Sequence, residues 1–195
     1  MTAEHAKTSF ESIYGEGLFH CFSFGPHEED NVLVLEAGPE VERPLVRVQS
    51  ACYTAEIFRS VDCDCHEQLE TSLRRIHAEG GVVVYVLCDG RGAGLLNKVR
   101  GLALGEQGLD TADAYRELRL APDPRDYDHV ARVLTELGIT ELRLLTNNPR
   151  KLNGLRQAGL DVEREPLLIE PTDKSRPYLK AKQDKLGHLL ELSDR

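Results

Sequence analysis

His66-Glu67-Gln68-Leu69-Glu70-Thr71-Ser72-Leu73-Arg74-Arg75-Ile76-His77-Ala78 runs through Glu79-Gly80-Gly81 into Val82-Val83-Val84-Tyr85-Val86-Leu87. The change of period inside this stretch decides the fold class. Leu69, Leu73 and Ile76 recur at i, i+4 and i+7, so residues 66–78 read as an amphipathic helix. Gly80-Gly81 stops it, because glycine tolerates the left-handed backbone at a helix end. The unbroken apolar run Val82–Leu87 then reads as a strand buried on both faces, which is the habit of parallel sheets flanked by helices.

Downstream the alternation continues. Gly90-Arg91-Gly92-Ala93-Gly94 is a loop, followed by a helix from Leu95 to about Gln107. Tyr127, Val130, Val133, Leu134 and Leu137 mark a helix ended by Gly138. Glu141–Thr146 reads as a strand, and Pro149 opens a helix to Ala158 with Gly159 behind it. Leu167-Leu168-Ile169 reads as a short strand and Leu179–Leu190 as a final helix containing Gly187. Upstream, residues 10–50 are β-rich: Leu18–Phe24, Asn31–Leu35 and Leu45–Val48 are apolar or alternating and separated by turn residues. The expected class is therefore α/β, or mixed α+β, with a β-rich N-terminal third followed by alternating strands and helices. The 195 residues carry no repeat or Ser/Gly linker, so a single domain over 1–195 is expected.

Composition narrows the function. The chain is 41% hydrophobic and 29% charged, with formal net charge −9. It has no long Lys/Arg run, which argues against a nucleic-acid partner while leaving room for a small phosphate ligand held by a few local cations. No apolar run reaches the roughly 20 residues of a membrane span, and MTAEHAKTSFES at the start has no apolar core of a signal peptide. The expected compartment is the cytoplasm, with no membrane partner.

The chemistry is concentrated in a few segments. Of five cysteines, Cys52, Cys63 and Cys65 form a C-x10-C-x-C cluster. An odd count in a chain read as cytoplasmic does not suit a disulfide framework. Two thiols at i and i+2 do not readily bridge each other but reach one metal ion, and three soft thiolates favour zinc over magnesium or calcium. Buried free thiols are the alternative. His66 follows directly; at the start of a helix it suits a contact outside the metal sphere better than a fourth ligand. The glycine loop at 90–94, with Arg91, Lys98 and Arg100 nearby, suits an anion, although an ordinary tight turn explains it as well. In Thr146-Asn147-Asn148-Pro149-Arg150-Lys151, Asn148 and Pro149 read as a helix cap and first turn; the polar ending also suits a ligand at the strand ends. Asp123-Pro124-Arg125-Asp126 reads as a capped helix start or as a carboxylate beside a phosphate clamp.

Together these segments resemble the GTP cyclohydrolase II family. The resemblance runs from about Tyr14 to Leu190. It is carried by Cys52…Cys63-Asp64-Cys65, Gly94-Leu95-Leu96-Asn97-Lys98, Gln107-Gly108-Leu109-Asp110-Thr111, Asp123-x-Arg125-Asp126, Leu144-Leu145-Thr146-Asn147-Asn148-Pro149 and Lys185-Leu186-Gly187-His188-Leu189-Leu190. It implies one zinc ion per chain on Cys52, Cys63 and Cys65, activating a water that attacks C8 of GTP. It implies Asp123 as general base and Arg125 at the α-phosphate as pyrophosphate leaves. Arg47, Ser50, Gln68, Asp89, Gly90, Arg91, Thr111, Thr146 and Lys151 are the implied nucleotide-binding residues. Magnesium accompanying the triphosphate, a homodimer and a place in riboflavin synthesis are implied as well. The motifs that carry the resemblance belong to this one domain, and the fused partner domain of some relatives, which makes dihydroxybutanone phosphate, is expected to be absent.

Several positions depart from the family pattern. Gln49 and Ala51 stand where Arg-Val-His-Ser-Glu-Cys is usual, Asp89 where the acid is usually Glu, His66-Glu67 where Gly-Phe follows the last cysteine, and Leu102 where Arg-Ala-Tyr-Ala-Leu has its tyrosine. Three readings follow: the full cyclohydrolase reaction with formate release; a diverged homologue that stops at the formamidopyrimidine nucleotide or takes another nucleotide; and a non-catalytic nucleotide-binding module with structural zinc.

Overall fold

The stretch that decides the fold class forms the helix and strand expected of it, Cys65–Glu79 and Gly81–Val86. In the computed structural model, which describes residues 3–109, 111–121 and 125–190, the elements in chain order are β1 (Glu4–Ser12), β2 (Gly15–Ser23), β3 (Asn31–Ala37), β4 (Leu45–Ser50), α1 (Tyr53–Glu56), α2 (Cys65–Glu79), β5 (Gly81–Val86), α3 (Leu95–Gly105), α4 (Thr111–Glu117), α5 (Asp128–Glu136), β6 (Glu141–Leu145), α6 (Pro149–Gln157), β7 (Asp161–Glu165) and α7 (Arg176–Leu186). The fold is mixed α/β, as the period changes require.

The described chain divides into two compact units whose segments alternate along the sequence. The first comprises Met1–Gln49, Gln68–Leu87 and Asp126–Leu167. It holds a seven-stranded sheet of order β1-β2-β3-β5-β4-β6-β7. The pairs β1–β2, β2–β3 and β3–β5 are antiparallel; β4–β6 and β6–β7 are parallel. Alternate residues of a strand face opposite sides. Val32 and Val34, Val46 and Val48, Val82 and Val84, and Leu142 and Leu144 therefore form one buried layer, packed with Val130, Val133 and Leu134 of α5 and Leu152 and Leu155 of α6. The opposite-facing Leu35, Leu45, Val83 and Leu145 are buried too, as is Ile76 of α2. Burial on both faces explains why the strands read as continuous apolar runs. At Gly81 a Cβ would stand 1.9 Å from the Leu45 carbonyl oxygen, so only glycine lets β5 start this close to β4.

Two elements differ from expectation in this unit. β1 is exposed along almost its whole length and shows no buried alternation, so nothing in its side chains announces a strand. The hairpin with β2 holds it, closed by Tyr14 N–H donating to the Ser12 hydroxyl. The terminal strand is β7, Asp-Val-Glu-Arg-Glu at 161–165, and not the expected Leu167-Leu168-Ile169. At an edge only Val162 needs an apolar berth; the charged neighbours pair outward, Arg43 with Asp161 and, at 3.6 Å, with Glu163. Leu167 is buried beyond the strand, where the Asn147 amide donates to its carbonyl at 2.6 Å and accepts from its N–H at 3.2 Å. A side chain supplies there the two bonds that a neighbouring strand would supply.

The second unit comprises Ser50–Glu67, Cys88–Arg125 and Leu168–Arg195. Here α3 packs on α4 and α4 on α7. Gly101 lets α3 approach Tyr115, whose ring carbon would lie 3.3 Å from an added Cβ. The final helix is Arg176–Leu186 instead of 179–190: Pro177 suits the first turn, and Gly187, at φ 65°, ends the helix in the left-handed conformation. None of the described helices is long and apolar enough to cross a membrane.

Candidate functional site

β4 ends at Ser50, and the chain turns so that Cys52 caps the short helix α1. Cys63 and Cys65 lie in the turn that opens α2. This brings the three sulfurs within 4.8 Å of one another, and among the described residues they are the one group of three or more potential ligands so gathered. The Cys52 and Cys63 sulfurs are 3.8 Å apart, far beyond a bonded pair, and all three thiols are free. Donation from Cys63 and Cys65 and the nearby Lys98 ammonium pull the Cys52 thiol far below its ordinary pKa, against the opposing effect of burial. Its two donors move the other way: Cys63 up to about 11, chiefly through its hydrogen bond to Cys52, and Cys65 well above a free thiol, chiefly through its hydrogen bonds to Cys52 and Cys63. Three free thiols so gathered fit a soft divalent ion, whose binding releases their protons. His66 lies outside the group and bonds Arg59, as expected of a helix-start histidine.

A half-buried lysine, Lys98, and a buried one, Lys182, lie in the same unit as the cluster. Lys98, on α3, places Nζ 3.1 Å from the Cys52 sulfur and 2.8 Å from Asp89 Oδ1. Burial lowers its pKa, but Asp89 and Cys52 outweigh that and hold it above the ordinary lysine value. Lys182, on α7, lies 3.5 Å from Asp64 Oδ1 and 4.3 Å from the centroid of the Tyr178 ring, one helical turn back. The sequence reading took Lys98 as a cation for an anionic ligand and passed over Asp64 and Lys182. No local pattern marks them, since Lys98 and Cys52 are 46 residues apart and Lys182 and Asp64 are 118 apart.

Asp89 is 4% exposed, and its carboxylate accepts from Gly90 N–H at 2.5 Å and Tyr53 N–H at 3.0 Å besides Lys98. The chain's own carboxylate thus takes the Gly90 N–H that the sequence suggested for a ligand. Beyond it, Arg91 stands in the left-handed region at φ 56°. Its guanidinium carbon is 5.8 Å from the Tyr115 ring centroid, and its Nη1 is buried without a hydrogen bond among the described residues. A buried donor of this kind is one an anion can satisfy. Burial pushes the Tyr115 phenol up, and it donates to the Gly90 carbonyl at 3.0 Å. Arg125 Nη1 donates to the Ser50 hydroxyl at 3.0 Å, which joins two of the expected site residues. Asp123 lies outside the described residues, as does the side chain of Thr111, whose backbone opens α4.

The remaining expected residues belong to the sheet-bearing unit. Arg47 is 5% exposed; it donates twice to Gln49 Oε1, at 2.9 and 2.7 Å, once to Gln68 Oε1 at 2.6 Å and once to the Leu145 carbonyl at 3.0 Å. Gln49, singled out only as a departure, is thus the acceptor that fixes Arg47. The Thr146 hydroxyl accepts from Asn148 N–H at 3.0 Å, and Lys151 Nζ donates to the Val48 carbonyl at 2.8 Å. Asn148 caps α6 through Arg150 N–H, with Pro149 in the first turn, as read. These groups gather at the carboxyl ends of β4 and β6, where open α/β sheets bind ligands.

The fold and the three-sulfur cluster define an α/β protein that carries the donor set of a soft-metal site. The chain matches the GTP cyclohydrolase II family model over residues 3–166, and it belongs to that family. It is 40% identical over 190 residues to the riboflavin biosynthesis protein RibBA of Chlorobium phaeovibrioides, covering 96% of this chain and 46% of that protein. It is 47% identical over 152 residues to the GTP cyclohydrolase-2 of Archaeoglobus fulgidus, covering 77% and 40%. It is 47% identical over 165 residues to RibBA of Aquifex aeolicus, covering 83% and 41%. The chain spans less than half the length of these relatives.

Proposed function

We propose that this chain is a zinc-dependent hydrolase that opens the imidazole ring of GTP. It would release pyrophosphate and formate and leave the diaminopyrimidine nucleotide that begins riboflavin synthesis. The observation that carries this reading is the gathering of the Cys52, Cys63 and Cys65 sulfurs within 4.8 Å, with the Lys98 ammonium against one of them, in a chain of this family. Zinc held by these three cysteines would supply Lewis acidity and an acidified water for the attack on C8.

The chain's own residues do the rest. The Lys98 charge favours Cys52 as thiolate, the form a metal needs. Asp123 would be the general base. Arg125, a permanently protonated fork, would stabilise charge at the α-phosphate as pyrophosphate leaves, with the Ser50 hydroxyl fixing its orientation. Arg91 offers its buried Nη1 to a phosphate oxygen. Asp89 acts by ordering the Gly90 loop and Lys98. Arg47, Gln68, Gly90, Thr111, Thr146 and Lys151 complete the nucleotide-binding set. Magnesium would travel with the triphosphate, and the working form would be a cytoplasmic homodimer.

A second reading rests on Leu102, on α3. This half-exposed hydrocarbon cannot orient a water or share a proton as the family tyrosine can. In this reading the ring opens and the formyl group stays. Zinc-replete protein incubated with GTP and magnesium, analysed by mass spectrometry with a parallel formate assay, tests both. Stoichiometric formate and pyrophosphate support the full reaction. A formamidopyrimidine product without formate supports the second reading, and Leu102→Tyr should then restore release. Binding without turnover would refute both readings and leave a nucleotide-binding module.

A further inference from the structure

We propose that the outward face of α3 is the surface on which a second copy of this chain docks, the two helices lying antiparallel across a two-fold axis. The inference deepens the homodimer reading above and rests on it.

One side of α3 is used inside its own unit. Gly101 faces Tyr115, and the Lys98 ammonium meets Asp89 and Cys52. On the other side Leu95, Leu96, Val99 and Leu102 are 44 to 65% exposed, with Ala103 exposed beside them. A surface helix ordinarily turns its apolar stripe to the core and its polar residues to water. Here an apolar stripe faces water. Leu95, Val99, Leu102 and Glu106 follow one another at spacings of four, three and four, which is the spacing of a helix–helix seam. A single exposed leucine needs no explanation, but a row of them along one helix marks an interaction surface.

Charge, fit and area single out a second copy as the occupant. α3 has no acidic residue in its first turn and no side chain capping its N-terminus, while Glu106 stands at its C-terminal end with no basic residue in the last turn. A lone helix dipole favours the reverse. An antiparallel copy places Glu106 of each chain beside the uncapped N–H groups of the other and sets the two dipoles head to tail. In that register Val99 meets Leu102 of the second copy, and the long Leu96 meets the small Ala103. Each contact is made twice, as an isologous interface requires. Ile57, Phe58 and Val61, on the turn after α1, are 60 to 79% exposed in the same unit, and α1 is capped by Cys52, which the Lys98 contact ties to α3. With the stripe they expose roughly 700 Å² of apolar side chain, near the about 800 Å² a side of a stable interface. An anionic lipid surface, by contrast, repels a chain of net charge −9.

Sedimentation equilibrium of the intact chain over a concentration series tests this, with circular dichroism as the check on folding. Wild type should be a dimer. Leu96→Glu and Val99→Glu, at positions with no assigned part in the reaction, should each weaken it by about a hundredfold or more, since the carboxylate enters the interface twice. Ile13→Glu, in the turn between β1 and β2 and 92% exposed, should leave it unchanged. Leu96→Glu mixed with Ala103→Arg should form a one-to-one heterodimer that neither variant forms alone, because the carboxylate then meets a guanidinium. The proposal is overturned if Leu96→Glu and Val99→Glu dimerise like wild type, or if the mixture stays monomeric. Should Val99→Glu fail to fold, Leu96→Glu carries the test, its position being 65% exposed already. A dimer broken by Ile13→Glu and not by Leu96→Glu would keep the homodimer and overturn α3 as its surface. A wild type that stays monomeric throughout would sink the homodimer reading itself, and this inference with it.

Discussion

Replacing Lys98 with methionine keeps the length of the side chain and removes one charge, and its cost can be worked from the contacts. The Lys98 side chain is 15% exposed and that of Asp89 3%, with 2.8 Å between them, so this is a buried pair. Removing one partner of such a pair costs about 3–5 kcal/mol, because the other charge stays behind unpaired. Asp89 keeps the N–H groups of Gly90 and Tyr53, and each hydrogen bond to a charged group is worth about 1.5–3 kcal/mol. Those two bonds place the expected loss at the lower end, about 3 kcal/mol. At a urea slope of about 2 kcal/mol per molar, the unfolding midpoint should fall by about 1.5 M. The measurement is urea unfolding of chelator-treated protein followed by circular dichroism, so that metal binding does not contribute. Adding Asp89→Asn to Lys98→Met should recover more than half of the loss, since an amide needs no counter-charge. A Lys98→Met loss below about 1 kcal/mol, or a double variant whose loss equals the sum of the singles, would refute the argument that Lys98 acts by neutralising Asp89.

Gly81→Ala should lose more than about 3 kcal/mol or fail to fold, because the new Cβ meets the Leu45 carbonyl oxygen at 1.9 Å. Gly138→Ala, at φ 77° with nothing within 4 Å, should lose only the 1–2 kcal/mol or so of left-handed strain, and equal losses in urea unfolding would contradict the close-approach account. His20 has its pKa lowered, chiefly by burial and also by His5 and Lys7, with Glu36 pulling the other way. The unfolded chain therefore binds a proton at higher pH than the folded one. Stability from this residue should be full above about pH 6.5 and decline as pH falls through the folded-state value. Urea midpoints at pH 7.5 and 5.5 should show a smaller acid loss in His20→Gln than in wild type; identical losses would assign the pH dependence elsewhere.

What could be read from the sequence was whatever neighbours in the chain decide. α2, α5 and α6 follow from periods of three and four with glycine, proline and asparagine at their ends, and β5 from its unbroken apolar run. The cysteine cluster was legible for the same reason: Cys63 and Cys65 share a turn, and Cys52 lies eleven residues before Cys63. β1 was illegible because an edge strand paired on one side needs no apolar face. β7 was misplaced because Leu167 looks like a strand residue but takes its bonds from Asn147, a substitution of side chain for backbone that no hydropathy pattern encodes.

The charge partners were hidden for a deeper reason. Lys98 reads as one more cation near a glycine loop, and Lys182 as one of several lysines on a polar helix. Local rules assign both to solvent or to an anionic ligand. Burial reverses that reading, because an ammonium excluded from water must find its counter-charge within the protein. Lys98 finds Asp89 and Cys52, and Lys182 finds Asp64. Which carboxylate each finds is a property of the topology, which draws segments near residues 52, 64, 89, 98 and 182 into one unit. The fold brings these cations to the carboxylates from segments far away in the chain. Two charge pairs therefore accompany the cysteines in this unit, Lys98 with Asp89 and Lys182 with Asp64, although only the cysteines announce themselves in sequence.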